Sequence, residues 1–309
     1  MKKVSIVVPA YNESENVQEL YLRLSAVFEK LGTHACELIF VDDGSSDKTF
    51  ETIQTKCPRT KFLECVGIKL TRNFGHQNAL RAGIEFATGD AVITMDSDLQ
   101  HPPELVSEFI SKWESGVKIV HTIRSYHQVN FKQLTSLFFY KMINFLSPTF
   151  IYPGIADFRL LDRDVVENLK RFKEYDLFLR GIVQTLGYRQ EYIKYEAAER
   201  FKGETKFTPL KMVKLALTGV TSLSTIPLYF AIVTGFAVIL LGMLYLVYIL
   251  YAKFFLSSVI PGWSSVMSVV LLIGGVQMLI LGIIGIYISR IFWEIKSRPA
   301  YLIEQVVRC

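Results

Sequence analysis

Asp96 and Asp98, in the string TMDSDLQHP (94–102), are two carboxylates two positions apart, directly after the apolar run AVITM. On a strand, side chains two apart share a face. Both carboxylates are therefore expected on one side, where like charges repel unless something positive lies between them. Hard oxygen ligands of this kind suit Mg²⁺ or Mn²⁺, which keep several waters and bridge a carboxylate to substrate phosphates. Gln100 continues the alternation and offers a neutral oxygen. His76 and His101 have no second His or Cys at ligand spacing, so they read as bystanders or hydrogen-bond donors. Taken alone D-x-D is a weak signal, since the same residues serve in ordinary solvated loops.

The elements that must position these groups alternate between strand and helix. VSIVV (4–8), ELIFV (37–41), VGIKL (66–70), AVITM (91–95) and KIVHTI (118–123) are short apolar, β-branched runs. After the first, Val17, Leu20, Tyr21, Leu24, Val27, Phe28 and Leu31 recur at helical spacing, with Asn12 or Ser14 as the expected cap and Gly32 as the end. Further helices are predicted after DDGSSDKT, from about Gly75 to Ala87, and behind Pro102 and Pro103. Such alternation predicts an α/β fold with a mostly parallel, Rossmann-like sheet and right-handed crossovers. Ligands of such sheets bind beyond the carboxyl ends of the strands. Polar residues gather there: PAYNE after the first run, DDGS after the second, TRN after the third, DSDLQ after the fourth and Arg124 after the fifth. Glu13, Asp42 and Asp43 can accept from ribose hydroxyls or a base N–H, and Tyr11 can pack on a base. Each serves equally well as a turn former or helix cap. Neither G-x-x-x-x-G-K-[ST] nor G-x-G-x-x-G occurs, so a nucleotide would be held by side chains and strand ends.

Hydrophobic residues make up 50% of the 309, but they are unevenly spread. Tyr229–Ala252 and Ser264–Ile288 carry no charge, and each is longer than the ~20 residues that cross a bilayer. With KFFLSSVIPGW between them they predict a transmembrane hairpin. Lys206, Lys211, Lys214, Arg290, Lys296, Arg298 and Arg308 flank its inner ends, against Lys253 in the loop. By the positive-inside rule, the N-terminal region and the C-terminus face the cytoplasm. The expected organisation is a cytoplasmic α/β domain over 1–206, a juxtamembrane segment over 207–226, the hairpin over 227–292 and a cytoplasmic tail over 293–309. Stretches 131–146 and 208–220 look interfacial. The net charge of +5 suits anionic lipid. Without a basic stripe interleaved with aromatics, nucleic acid is disfavoured as a partner. MKKVSIVVPAYN has too short an apolar run, broken by Pro9, to read as a signal peptide. Cys36, Cys57, Cys65 and Cys309 lack metal spacing and read as free thiols. Glycines in IGGVQMLILGIIG leave a homo-oligomer open.

Together, VSIVVPAYNESENV, VDDGSSDKT, TRNFGHQNAL, GDAVITMDSDLQHPPE, ADFRLLDR and ERFKGETKF closely resemble the GT-A-fold inverting glycosyltransferases that act on polyprenyl phosphates. Dolichyl-phosphate mannose synthases are one branch. The bactoprenol glucosyltransferases, which share the two-span C-terminal hairpin, are the closer one. The resemblance covers essentially the whole chain. It implies that Asp96, Asp98 and Gln100 hold a divalent metal on a nucleotide sugar. It further implies that Pro9, Tyr11, Glu13, Asp42, Asp43, Arg72 and Asp96 bind the nucleotide. Asp157 matches the position assigned to catalysis, with Asp98 beside it, and Arg124, Arg200 and Lys206 match basic positions that meet phosphates. For Asp157 a base, an orienting group, or an ion pair with Arg159 or Arg163 all stay open. For Arg200 and Lys206 the alternative is a solvated, membrane-facing pair. The implied reaction is inverting transfer of glucose from UDP-glucose to undecaprenyl phosphate at the inner membrane, for glycosylation of a surface polysaccharide. GDP-mannose or a UDP-amino-arabinose is the alternative donor. A membrane scaffold or translocase that kept a nucleotide fold is the alternative class.

Overall fold

A computed structural model describes residues 1–125, 155–174, 179–196, 225–255 and 262–309. The described strands are β1 (Lys2–Ala10), β2 (His34–Asp42), β3 (Leu63–Leu70), β4 (Ala91–Thr94), β5 (Ile119–Ser125), β6 (Ile155–Asp162), β7 (Gln190–Glu196) and β8 (Ile303–Arg308). They form one eight-stranded sheet in the order β7-β5-β6-β4-β1-β2-β3-β8. The β1–β2, β2–β3, β1–β4 and β5–β7 pairs are parallel. The β4–β6, β5–β6 and β3–β8 pairs are antiparallel.

β1 is central because it is apolar on both faces, as a strand covered on both sides must be. Val4, Ile6 and Val8 pack with α1 (Ser14–Leu31), α2 (Thr49–Lys56) and α4 (Val106–Glu114). Val7 points the other way, toward α3 (His76–Phe86), α5 (Arg163–Leu169) and α6 (Leu179–Thr185). α3 lies so close that a Cβ on Gly83 would stand 2.2 Å from Val7 Cγ1. Gly32, at φ 62°, ends α1 as expected. The start of α1 differs. Glu13 is the cap residue and makes no side-chain cap. Asn12, at φ 53°, instead accepts the Ser46 N–H at 2.9 Å.

The fifth predicted strand does not simply continue the parallel run. β6, the ADFRLL string, enters antiparallel between β4 and β5, pairing Thr94 with Arg159 and Ala91 with Asp162. Its charges break the apolar pattern by which strands are recognised. They are tolerated inside the sheet because Asp157 and Arg159 pair with each other. The segment expected as a tail also takes structure, ending in β8, which closes the β3 edge.

α7 (Ile226–Phe255) and α8 (Trp263–Ile295) contain windows of mean hydropathy 2.2 and 2.1, of which 6% and 0% is buried. Both are long and apolar enough to cross a membrane by length and composition. They extend beyond the expected 229–252 and 264–288 at both ends. The stretches 131–146 and 208–220 lie outside the described residues. Among the described residues all four cysteines are free thiols.

Candidate active site

Three loops at the carboxyl ends of β1, β2 and β3 lock into one another. The Asn12 amide donates to Ser45 Oγ at 2.9 Å and the Glu13 amide to Thr49 Oγ1 at 2.9 Å. Gly44, at φ 67°, takes the backbone region that favours glycine. A Cβ there would lie 2.4 Å from the Arg72 carbonyl carbon, so the DDGS turn and the TRN turn touch backbone to backbone.

The two adjacent aspartates serve differently. Asp43 accepts the Phe74 amide at 2.7 Å on one oxygen and the Gly75 amide at 2.9 Å on the other. Burial raises its pKa in spite of those two donors. Asp43 therefore holds the loop that presents Arg72, whose exposed guanidinium lies 4.1 Å over the Phe74 ring. Asp42 is fully buried, and its Oδ1 accepts the Ser45 amide at 3.1 Å. Its Oδ2 is buried with no hydrogen-bond partner, and burial pushes its pKa up. Pro9 lies in β1 opposite Val41, Tyr11 is 36% exposed just beyond the strand, and the Glu13 carboxylate accepts from the Asn16 side-chain Nδ2.

β4 ends at Thr94, so Asp96, Asp98 and Gln100 sit in a turn and not on a strand. The alternation expected to align them is absent. Pairing to β1 and β6 stops at Thr94, and Leu99, at φ 60°, turns the chain after Asp98. The Gln100 amide donates to Asp98 Oδ1 at 3.2 Å. The Asp96 amide donates to His101 Nδ1 at 3.1 Å, so the hydrogen of that ring sits on Nε2. His101 Nε2 then faces Asp96 Oδ2 at 3.7 Å, while its ring stacks on Phe158. His76 is no bystander either: its Nε2 stands 3.5 Å from Asp96 and 3.5 Å from Asp157. Burial opposes charge on His76, but the two carboxylates overcome it and raise its pKa.

Asp157, 2% exposed on β6, is the most heavily partnered of these groups. Arg159 Nη2 donates to its Oδ1. Arg180, on α6, donates from Nε to Oδ1 at 3.0 Å and from Nη2 to Oδ2 at 2.7 Å. Burial alone would raise the pKa of Asp157, but Arg180, His76 and Arg159 hold it well below the usual carboxylate range. Arg163, offered from sequence as a partner, pairs instead with Glu167. Arg180 was missed because nothing in DLFLRG ties it to a carboxylate 23 positions earlier.

Arg124 lies one residue before the end of β5, opposite Tyr195. Arg200 and Lys206 lie outside the described residues. Among the described residues no three His, Cys, Asp or Glu side chains form a ready metal cage. Two carboxylates nevertheless fit Mg²⁺ or Mn²⁺, which take one or two and fill the remaining positions with water and phosphate. Asp96 Oδ1, buried with no hydrogen bond and only the His76 Nε2 contact at 3.5 Å, is an acceptor such an ion would satisfy.

The family model described as Glycosyl transferase family 2 matches residues 5–170, from β1 through α5. Relatives align nearly end to end. The uncharacterized glycosyltransferase YkcC of Bacillus subtilis (strain 168) is 40% identical over 97% of this chain and 93% of its own. The prophage bactoprenol glucosyl transferase homolog of Escherichia coli (strain K12) is 38% identical over 98% and 99%. The bactoprenol glucosyl transferase of Shigella phage SfII is 37% identical over 98% of each. Among solved structures, mannosyl-3-phosphoglycerate synthase from Rubrobacter xylanophilus shares the fold, with a TM-score of 0.52 at 16% identity over 72% of this chain and 73% of that one. The matched stretch takes in the loops after β1, β2 and β3, the D-x-D turn and Asp157, and on these grounds the chain belongs to glycosyl transferase family 2 and is a glycosyltransferase.

Proposed function

We propose that this glycosyltransferase moves glucose from UDP-glucose to a polyprenyl phosphate, with inversion, at the cytoplasmic face of a membrane. The observation that carries the reading is the near end-to-end similarity to proteins named bactoprenol glucosyl transferase, across both the sheet and the two unburied apolar helices. A lipid acceptor keeps its tail in hydrocarbon and its phosphate at the headgroup plane, so an anchored active site meets it there. Positive residues flanking the hairpin favour the cytoplasmic face for both the sheet and the C-terminus.

Within this reading Asp42 Oδ2 takes a donor from the nucleoside, Tyr11 packs on its base, and Pro9, Glu13 and Asp43 frame the loops around it. Arg72 faces the donor's phosphates. Asp96 and Asp98, with Gln100, would hold Mg²⁺ or Mn²⁺. Such an ion, when bound, stabilises the negative charge of a leaving diphosphate. Arg124, Arg200 and Lys206 meet phosphate oxygens of donor and acceptor. Asp157 is an ionised carboxylate with donors on both oxygens. No strong base is required, because a phosphate monoester with a second pKa of about 6 already presents an anionic nucleophile at neutral pH.

The test is formation of a radiolabelled sugar lipid by purified protein from undecaprenyl phosphate and a panel of UDP-glucose, GDP-mannose and UDP-amino-arabinose. UDP-glucose is expected to be turned over, and EDTA to stop the reaction. Turnover of only a guanine nucleotide sugar overturns the donor. Absence of a lipid product with every donor overturns the acceptor.

A further inference from the structure

Asp96 is held from two directions. Side chains alternate across a strand, so Asp157 and Phe158, consecutive on β6, point to opposite faces of the sheet. Asp157 points toward α3 and α6, and Phe158 points into the core against Phe109 of α4. A histidine stands between each of them and Asp96. On the α3 side, His76 Nε2 lies 3.5 Å from Asp157 and 3.5 Å from Asp96 Oδ1. On the α4 side, the His101 ring stacks on Phe158, with centroids 5.0 Å and planes 15° apart, and its Nε2 lies 3.7 Å from Asp96 Oδ2.

The two histidines differ in freedom. The side chain of His76 is 44% exposed and that of His101 is 5% exposed. Phe158 covers one face of the His101 ring, and Tyr195 of β7 meets it edge-on at 5.8 Å and 71°. A ring enclosed in this way keeps one orientation, and its two nitrogens then have fixed tasks. The Met95 amide still bonds to the Val7 carbonyl of β1 at 3.1 Å, but the next amide, that of Asp96, goes to His101 Nδ1 at 3.1 Å. Where the sheet lets go of the chain, His101 takes it up. Nε2 therefore carries the ring hydrogen and turns it toward Oδ2. At 3.7 Å this is an electrostatic contact and not a hydrogen bond. The carboxylate is left asymmetric: Oδ2 faces a fixed N–H, and Oδ1 is buried with no hydrogen bond.

We propose that His101 is a positioning residue for the metal-holding carboxylate of Asp96. It fixes the backbone of Asp96 through Nδ1 and occupies the side of Oδ2, so that Oδ1 is left for a divalent ion. Groups that orient a metal ligand from behind set its affinity, and losing one costs about 10–100-fold. The inference deepens the proposed function and rests on its assignment of Asp96 to a metal-bound nucleotide diphosphate.

Three variants separate the tasks of the ring. His101→Phe keeps the stack on Phe158 and removes both nitrogens. His101→Asn carries an oxygen on the same carbon as Nδ1, so it can still accept the Asp96 amide. His101→Gln moves its amide one bond outward, to the place of Nε2. Binding of UDP and of GDP is measured by calorimetry with Mn²⁺ and with EDTA, beside thermal melting and sugar-lipid formation. For the nucleotide that wild type binds, His101→Phe is expected to weaken Mn²⁺-dependent binding at least tenfold and to leave binding in EDTA within twofold. His101→Asn should recover more of the loss than His101→Gln. A loss smaller than threefold in Mn²⁺ overturns the proposal. So does an equal loss in Mn²⁺ and in EDTA, which would make His101 a core residue only. If His101→Phe does not fold, the Asn and Gln variants decide: binding by Gln as tight as that by Asn, or tighter, overturns it. Wild type that makes no sugar lipid would overturn the proposed function, and the calorimetry would then decide this inference by itself. Wild type that binds nucleotide equally in Mn²⁺ and EDTA would overturn the metal assignment and this inference together.

Discussion

Residues a few positions apart in this site divide sharply by what their polar atoms already touch. Asp42 keeps a buried oxygen without a donor, whereas Asp43 has an amide on each oxygen. Asp43→Ala should therefore behave first as a structural lesion. Two charge-assisted bonds lost from a partly buried loop cost about 2 kcal/mol, read as a lower midpoint in urea. Asp42→Asn should leave stability within about 1 kcal/mol and weaken UDP binding, since it changes a buried acceptor that makes no hydrogen bond within the described residues. Equal stability losses in the two variants would contradict this division. Asp96 presents a second unfilled oxygen. Asp96→Asn should lower kcat on the order of 100-fold, the scale of losing one electrostatic contact in a transition state. It should also weaken Mn²⁺-dependent UDP binding in calorimetry, a readout independent of turnover.

Strands and helices account for both what sequence reasoning could see and what it could not. The runs that became β1, β2, β3 and β4 were legible because each is mostly apolar and β-branched, as the centre of a doubly covered sheet requires. β6 was not, because Asp157 and Arg159 look like surface charges until their pairing is known. The D-x-D motif was visible but its geometry was not, since strand pairing stops at Thr94, before the first aspartate, and the chain turns on through Leu99. Arg180 and β8 were hidden for a third reason: their partners are distant in sequence and only the closed sheet brings them near. One buried carboxylate shows how the central strands are tied. Glu37 on β2 accepts from Lys3 of β1 at 2.8 Å, from Ser5 of β1, and from the Thr88 amide at 2.9 Å ahead of β4. Burial raises its pKa, but these donors outweigh that and leave it below the usual 4.5. The ionised form thus stabilises the fold above the unfolded carboxylate range, and the contribution is lost as pH falls through the lowered folded-state pKa. Glu37→Gln should flatten the acid limb of stability below about pH 4.5 and cost about 2 kcal/mol at pH 7. An unchanged acid limb would assign that limb to other carboxylates.

At the scale of the whole molecule, the chain leaves the sheet after β7, runs through α7 and α8, and returns to the same sheet as β8. A chain that begins and ends in one sheet can cross a bilayer only an even number of times, and two suitably long apolar helices meet that condition. The return also fastens the end of α8 to the proposed donor site. The Thr71 amide, next to Arg72, donates to the Leu302 carbonyl at 3.0 Å. Tyr301 donates its hydroxyl to Glu85 on α3, the helix whose first residue is His76. Lys69 and Glu304 pair at 3.0 Å, and the Cys309 amide reaches the Cys65 carbonyl at 2.9 Å. Removing residues 301–309 should therefore do two things at once. It uncovers the β3 edge, lowering the melting temperature by several degrees for a loss of about 2 kcal/mol. It also releases the loop that carries Arg72, raising KM for the nucleotide sugar more than KM for the lipid. Tyr301→Phe, which removes one hydroxyl, should show the same direction with about 1 kcal/mol. If the deletion lowers stability but leaves the donor KM unchanged, β8 is an edge cover only, and the coupling of the hairpin to the donor loop is wrong.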